Sequence, residues 1–399
     1  MLLYWIWLAQ LSGVTAHQKA QLLRRFSTAE DIYFASDGML SEMSPALRKA
    51  LESKDLGAAE KILNDCRKQQ IGILTYADDR YPDRLRNILD PPTVLYYKGT
   101  LPDFSAVPTV GIVGTRRATP YGIAAAKMMG RQIASCGGLV ISGGAAGIDT
   151  AAMIGAMEAG KPVVGVFGSG VDVYYPRTNR TLFEDVQRSG CLISEYPPGS
   201  APQSWHFPQR NRIISGLSDG VLIVEAPVQS GALITARLAL EQGRDVFSVP
   251  GNIGMKTSDG SNLLLREGAA AVLTGWDVMK EYAEMYPGKV TNALQQTPLA
   301  NIERRPPLQV AQPEIPPFDR KDIDNSVKTP YSDMENPDIS AEERQVLSAL
   351  DITPRSIDEI IARTDLPPSD VLRILTKLAV KDIIINHPGR MFSVGNTGK

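Results

Sequence analysis

Histidine and cysteine are scarce, with three of each in 399 residues. His17, His206 and His387 lie far apart and none sits in an HExxH pattern, which argues against a histidine-rich metal centre. Cys66, Cys136 and Cys191 are odd in number and show no CxxC spacing, so they read as small buried apolar residues rather than zinc ligands or disulfides. A surplus of charge is also lacking: 42 basic against 44 acidic side chains give a formal net charge of −2. Any binding to a polyanion must come from a local basic patch. The apolar start MLLYWIWLAQL is too short to span a bilayer. It has no basic flank and no small-residue cleavage site behind it, so it reads as a buried first helix anchored by Trp5 and Trp7.

A dinucleotide fingerprint is absent where one is expected. Residues 111–122, GIVGTRRATPYG, form an apolar strand, a glycine and a helix start. In place of further glycines stand Arg116 and Arg117. About 20 residues on, Ser135–Cys136–Gly137–Gly138 offers no acid for a ribose, which speaks against a nicotinamide oxidoreductase.

Four regions are present. Residues 1–68 read as an all-helical unit of the helix-hairpin-helix or SAM type, whose turn SGVT has one glycine where a phosphate-gripping turn carries two. Residues 69–286 alternate strand and helix, and the strands are continuous apolar runs such as TVGIV, GLVIS and PVVGVF. Runs of that kind are buried on both faces, so the expected fold is α/β: a Rossmann-like, doubly wound, mostly parallel sheet. Residues 287–340 hold nine prolines and read as an extended linker. Residues 341–395 read as a winged helix of three helices and a hairpin turning at Pro388–Gly389. Its third helix mixes Asp370 and Asp382 with Arg373, Lys377 and Lys381. Residues 341–399 carry eight charges of each sign, which favours protein contact over operator reading.

Ligands of open α/β sheets bind beyond the carboxyl ends of the strands. The loops expected there carry Arg116 and Arg117; the glycine-rich Gly143–Gly144 turn; Arg177, Asn179 and Arg180; Trp205, Arg210, Asn211 and Arg212; and Ser230–Gly231 at a helix start. The Gly143–Gly144 stretch should form a nest of amides open to an anion. No acid occurs between Val113 and Ile148 or from Tyr196 to Arg212. Guanidinium forks match phosphate oxygens, and the nearby Tyr174, Tyr175, Trp205, His206 and Phe207 suit splayed bases. Each stacked base is worth about 1–3 kcal/mol without sequence preference. Trp205 is the best aromatic candidate for a base contact, while Tyr175 and Phe207 also suit packing beneath the loops.

The segments GIVGTRRAT, ISGGAAGIDTAAMIGAM, VFGSGVDVYYPRTN, ISEYPPG, HFPQRNRIISGLSDGVLIVEA and SGALITARLALEQGRDVFSVPG together resemble the DNA-processing protein A family, also called DprA or Smf. The likeness covers residues 70–285. It implies a cytoplasmic single-stranded-DNA-binding protein of natural transformation, not an enzyme, without a catalytic cofactor. Its expected partners are the RecA recombinase, single-strand-binding protein and a second copy of itself. The leucine-rich stretch 261–273 is a candidate for self-association. Two other readings stay open. One is a nucleotide-processing enzyme of the lysine-decarboxylase-like phosphoribohydrolase type, with Glu225 as base, although the PGGxGT loop is replaced by PVQSGALIT. The other is a scaffold that binds only proteins.

Overall fold

The structure, a computed structural model, describes residues 1–294, 340–350, 355–364, 366–380, 383–387 and 391–394. Most of the expected linker, the Pro388–Gly389 turn, Lys381 and Asp382 lie outside the described residues. The chain divides into two compact units, residues 1–303 and 304–399.

The first unit is built on a nine-stranded sheet: β1 (Gly72–Thr75), β2 (Val94–Gly99), β3 (Thr109–Val113), β4 (Leu139–Ser142), β5 (Val163–Phe167), β6 (Cys191–Ser194), β7 (Gly220–Ile223), β8 (Asp245–Ser248) and β9 (Ala270–Ala271). Their spatial order is β1-β2-β6-β5-β4-β3-β7-β8-β9. The seven strands from β3 onward are mutually parallel, and β2 and β1 extend one edge in antiparallel fashion. Alternation along β3 explains the two-sided core. Val110 and Ile112 join one apolar cluster, and Val113 joins the other with Ile141, Val164 and Val221.

Six helices precede the sheet: α1 (Leu2–Gln10), α2 (Ala16–Arg25), α3 (Ala29–Tyr33), α4 (Asp37–Leu40), α5 (Pro45–Glu52) and α6 (Gly57–Lys68). Trp5 and Trp7 are buried as expected, and Trp7 donates from its indole to the Ser53 carbonyl at 2.8 Å. Thr15 and Gln18 close a capping box on α2. This helical core is not separate from the sheet, because Ile71, Val94 and Tyr96 of the β1–β2 edge and Val171 belong to the same cluster.

The remaining helices of this unit are α7 (Asp83–Arg86), α8 (Pro120–Ser135), α9 (Ile148–Glu158), α10 (Arg180–Ser189), α11 (His206–Leu217), α12 (Gly231–Glu241), α13 (Asp259–Arg266) and α14 (Gly275–Met279). The chain runs from β3 through α8 to β4 on one side, whereas β7 lies on the other side of β3. A crevice therefore opens beyond Val113, where the winding reverses.

The second unit contains α15 (Ala341–Ser348), β10 (Arg355–Ser356), α16 (Ile357–Ile361), α17 (Pro368–Val380), β11 (Ile384–His387) and β12 (Met391–Val394), with strand order β10-β12-β11. Three helices against a small antiparallel sheet form a winged helix. Ser340 and Glu343 cap α15. Arg373 of α17 lies 3.6 Å from Glu342 and 3.4 Å from Asp370, and Lys377 lies 2.8 Å from Glu343.

Candidate nucleic-acid interface

A cavity of about 250 Å³ occupies the crevice at the strand-order reversal. Its walls include Gly114 and Arg116 after β3, Ala145 and Asp149 after β4, Phe207, Arg210 and Asn211 of α11, and Ser230 and Gly231 at the start of α12. Of the thirteen residues expected at the site, five line this cavity: Arg116, Arg210, Asn211, Ser230 and Gly231. Ser230 caps α12 by accepting from the Ala232 amide at 3.2 Å, so the positive end of an eleven-residue helix faces the cavity.

The six arginines have different fates. Arg116, Arg117 and Arg177 are exposed. The Arg116 guanidinium lies 5.0 Å from the centre of the Phe207 ring. Arg180 is exposed but pairs with Glu184 one helical turn on, at 2.8 Å.

Arg210 is turned inward and 4% exposed, contrary to the expectation of a solvent-facing rim cation. It donates to the Gly143 carbonyl at 2.7 Å and to the Val166 carbonyl, while its Nε has no partner among the described residues. Burial depresses its pKa to about 10, the Asp149 charge opposes that shift, and nearby Arg116 adds to it. A guanidinium with that pKa is still charged at neutral pH, and an anion placed between Arg116 and Arg210 would relieve their repulsion.

Arg212 corrects the sequence reading more strongly. It is 5% exposed and ion-paired to Asp90 at 3.0 Å and Glu195 at 2.8 Å. Burial opposes its charge, but those carboxylates prevail and hold its pKa above the ordinary guanidinium range. Burial likewise raises the Asp90 pKa, against the pull of Arg212.

The glycine-rich turn is corrected as well. The amides of Gly143 and Ala145 do not form an open nest, because they donate to the Asp149 carboxylate at 3.1 and 3.4 Å. Asp149 is buried, and desolvation raises its pKa against the pull of Arg210 and the amides. Gly143 is required for close approach: a Cβ there would lie 2.5 Å from the Arg210 guanidinium. Asn179 is buried and bonds inward, to the Gly144 carbonyl at 3.1 Å and the Thr150 hydroxyl at 2.6 Å. Gly143, Gly144, Asn179 and Arg212 thus shape the scaffold beneath the loops.

Two aromatic groups flank the cavity loops. Trp205, 57% exposed, packs edge-on to His206 at 4.0 Å, and His206 stacks on Tyr196 at 3.8 Å. Burial lowers the His206 pKa, and its Nδ1 lies 3.0 Å from the Gly168 carbonyl. Tyr175 is exposed and lies 5.5 Å from Phe207. Phe207, which suits packing beneath the loops, is also the platform of Arg116. Asp149, which sequence reasoning missed, had one available signal: it is the first acid after the long acid-free run.

No cluster of three or more histidine, cysteine or acidic side chains suited to a metal occurs among the described residues. No helix among them is long and apolar enough to cross a membrane.

Residues 72–283 match the family described as DNA recombination-mediator protein A, and residues 330–390 match the DprA winged helix domain. The protein called Smf of Synechocystis sp. is 31% identical over 402 residues, 98% of each chain. DNA processing protein DprA of Streptococcus pneumoniae is 42% identical over 216 residues, covering 54% of this chain and 75% of that one. The X-ray structure of DprA from S. pneumoniae superposes with a TM-score of 0.62 at 34% identity, covering 70% of this chain and 98% of that one.

Proposed function

The chain belongs to the DNA recombination-mediator protein A family, and we propose that it binds single-stranded DNA along the carboxyl rim of its sheet. On this reading one phosphate seats in the cavity between Arg116, Arg210 and the start of α12. The strand then continues past Arg117 and Arg177, with bases against Trp205 and Tyr175. The observation that carries the reading is the pairing of exposed Arg116 with buried Arg210 on the walls of one cavity at the strand-order reversal. Cations and rings outside the cavity favour a polymer over a mononucleotide, since a mononucleotide would leave Arg117, Arg177 and Trp205 unused.

As a member of this family the chain is proposed to act in natural transformation as a homodimer in the cytoplasm. There it would protect incoming strands, help displace single-strand-binding protein and load the RecA recombinase. It is proposed to do so without catalysis. Both carboxylate oxygens of Glu225 accept from Thr119 at 2.9 Å, and Glu225 does not line the cavity, which supports a non-enzymatic reading. The acid-paired Arg373 and Lys377 support protein contact, rather than duplex reading, for the winged helix.

The experiment is a binding titration of labelled single- and double-stranded oligonucleotides across ionic strength. Preference for the single strand, no dependence on sequence and a steep loss with salt are expected. Equal or absent binding of both forms would refute the reading.

A further inference from the structure

Glu225 stands just past β7, is 1% exposed, and turns its polar groups onto one five-residue loop. Its backbone carbonyl accepts from the Thr115 amide at 2.7 Å. Its carboxylate accepts from the Thr119 amide and the Thr119 hydroxyl, each at 2.9 Å. Between these anchors lie Arg116, Arg117 and Ala118. Thr119 is also the cap of α8, its hydroxyl accepting from the Gly122 amide at 3.1 Å. The carboxylate therefore sits at the positive end of a sixteen-residue helix.

Gly122 supplies the room, because a Cβ there would lie 2.1 Å from the Glu225 carboxylate. The opposite side of the loop is braced by α9. The Ile148 amide donates to the Thr115 carbonyl at 3.3 Å. Gly147, at φ +84°, admits an approach in which a Cβ would fall 2.4 Å from that same carbonyl oxygen.

We propose that Glu225 is the positioning residue of the arginine loop: it brackets residues 115–119 at both ends and so presents Arg116 and Arg117, already ordered, to an incoming phosphate. Ordering the loop in advance lowers the entropy lost on binding. This inference rests on the nucleic-acid reading above.

The test is a double-mutant cycle on the full chain, read by fluorescence anisotropy with labelled oligo-dT. The variants are Glu225→Ala, the pair Arg116→Ala/Arg117→Ala, and all three together. Glu225→Ala alone should weaken binding about fivefold or more, a coupling of ordinary size within one hydrogen-bonded network. In the arginine-free background it should add nothing. Glu225→Gln keeps an acceptor for the Thr119 amide and should restore affinity to within about twofold. Should Glu225→Ala fail to fold, Thr119→Val removes the hydroxyl donor at nearly constant shape and carries the same cycle. An equal loss in both backgrounds marks a merely structural glutamate and overturns the proposal. So does unchanged affinity in Glu225→Ala or Thr119→Val while the arginine pair is weakened. If the arginine pair itself binds as tightly as wild type, the underlying nucleic-acid reading falls instead.

Discussion

Replacing Arg212 by alanine separates scaffold from binding surface. Its guanidinium joins Asp90, which precedes β2, to Glu195, which follows β6, and it also donates to the Gln209 carbonyl at 3.1 Å. Removing one member of a buried ion pair costs about 3–5 kcal/mol, because the partner is left uncompensated. Asp90 and Glu195 keep 34% and 24% side-chain exposure, so the lower end, about 3 kcal/mol, applies. The assay is urea unfolding followed by tryptophan fluorescence, with an expected fall in midpoint on the order of 1 M. The deficit should depend on pH in a fixed sense. Burial raises the Asp90 pKa in the folded state, so its protonated form is favoured there, and that contribution fades as pH rises through the folded value. Without Arg212 the carboxyl is protonated still more readily. The variant should therefore lie closest to wild type at acidic pH and furthest from it once the pH has risen through the folded value. Single-strand affinity of the folded variant should change little. Wild-type stability combined with lost affinity would refute the inward assignment of Arg212.

Arg117→Ala and Arg177→Ala should show the reverse pattern: unchanged unfolding midpoints, with a salt slope of single-strand binding reduced by about 0.7 for each phosphate no longer neutralised. Trp205→Ala should weaken binding of every sequence alike by about 1–3 kcal/mol, measured by anisotropy at fixed salt; an effect confined to one sequence would count against base stacking. Lys19 donates to the Ala9 carbonyl, and burial lowers its pKa to about 8, with Glu195 opposing and Arg212 reinforcing the shift. The folded state thus sheds a proton that the unfolded chain keeps, so stability should rise with pH between about 8 and 10.4. Lys19→Met should abolish that rise in a urea titration at several pH values.

The parallel sheet was legible because strands buried on both faces need unbroken apolar runs, as in TVGIV and PVVGVF. The antiparallel attachment of β1 and β2 was not, since pairing direction leaves no mark in so short a strand. Among the arginines, the local pattern held an unused clue. In α11 the buried positions His206, Arg210, Ile213, Ile214 and Leu217 follow helical spacing, so Arg210 is in register with the apolar stripe. Arg212 gave no such warning. Its partners are 122 and 17 residues away, and Glu195 lies one residue before the acid-free stretch that made the segment look purely cationic. The Gly143–Gly144 turn misled for a related reason: amides suited to an external anion are equally suited to a carboxylate a few residues further along the chain, and Asp149 takes that place.

The number of available guanidinium groups bounds the electrostatic part of binding. Arg116, Arg117 and Arg177 face solvent, and Arg210 reaches the cavity wall, whereas Arg180 and Arg212 are held by carboxylates. Arg116 and Arg210 share one phosphate, so about three phosphates are neutralised, which corresponds to a slope of log K against log salt of about −2 for a single strand. Two copies engaging one strand would double this to about −4. Slopes measured below and above the concentration of self-association, set by sedimentation, should therefore fall near these two values. A monomer slope much steeper than about −2 would mean that cations elsewhere carry the strand, and the rim would lose its role. A slope near about −2 that persists after self-association would mean that each copy binds its own strand, with no shared path across the dimer.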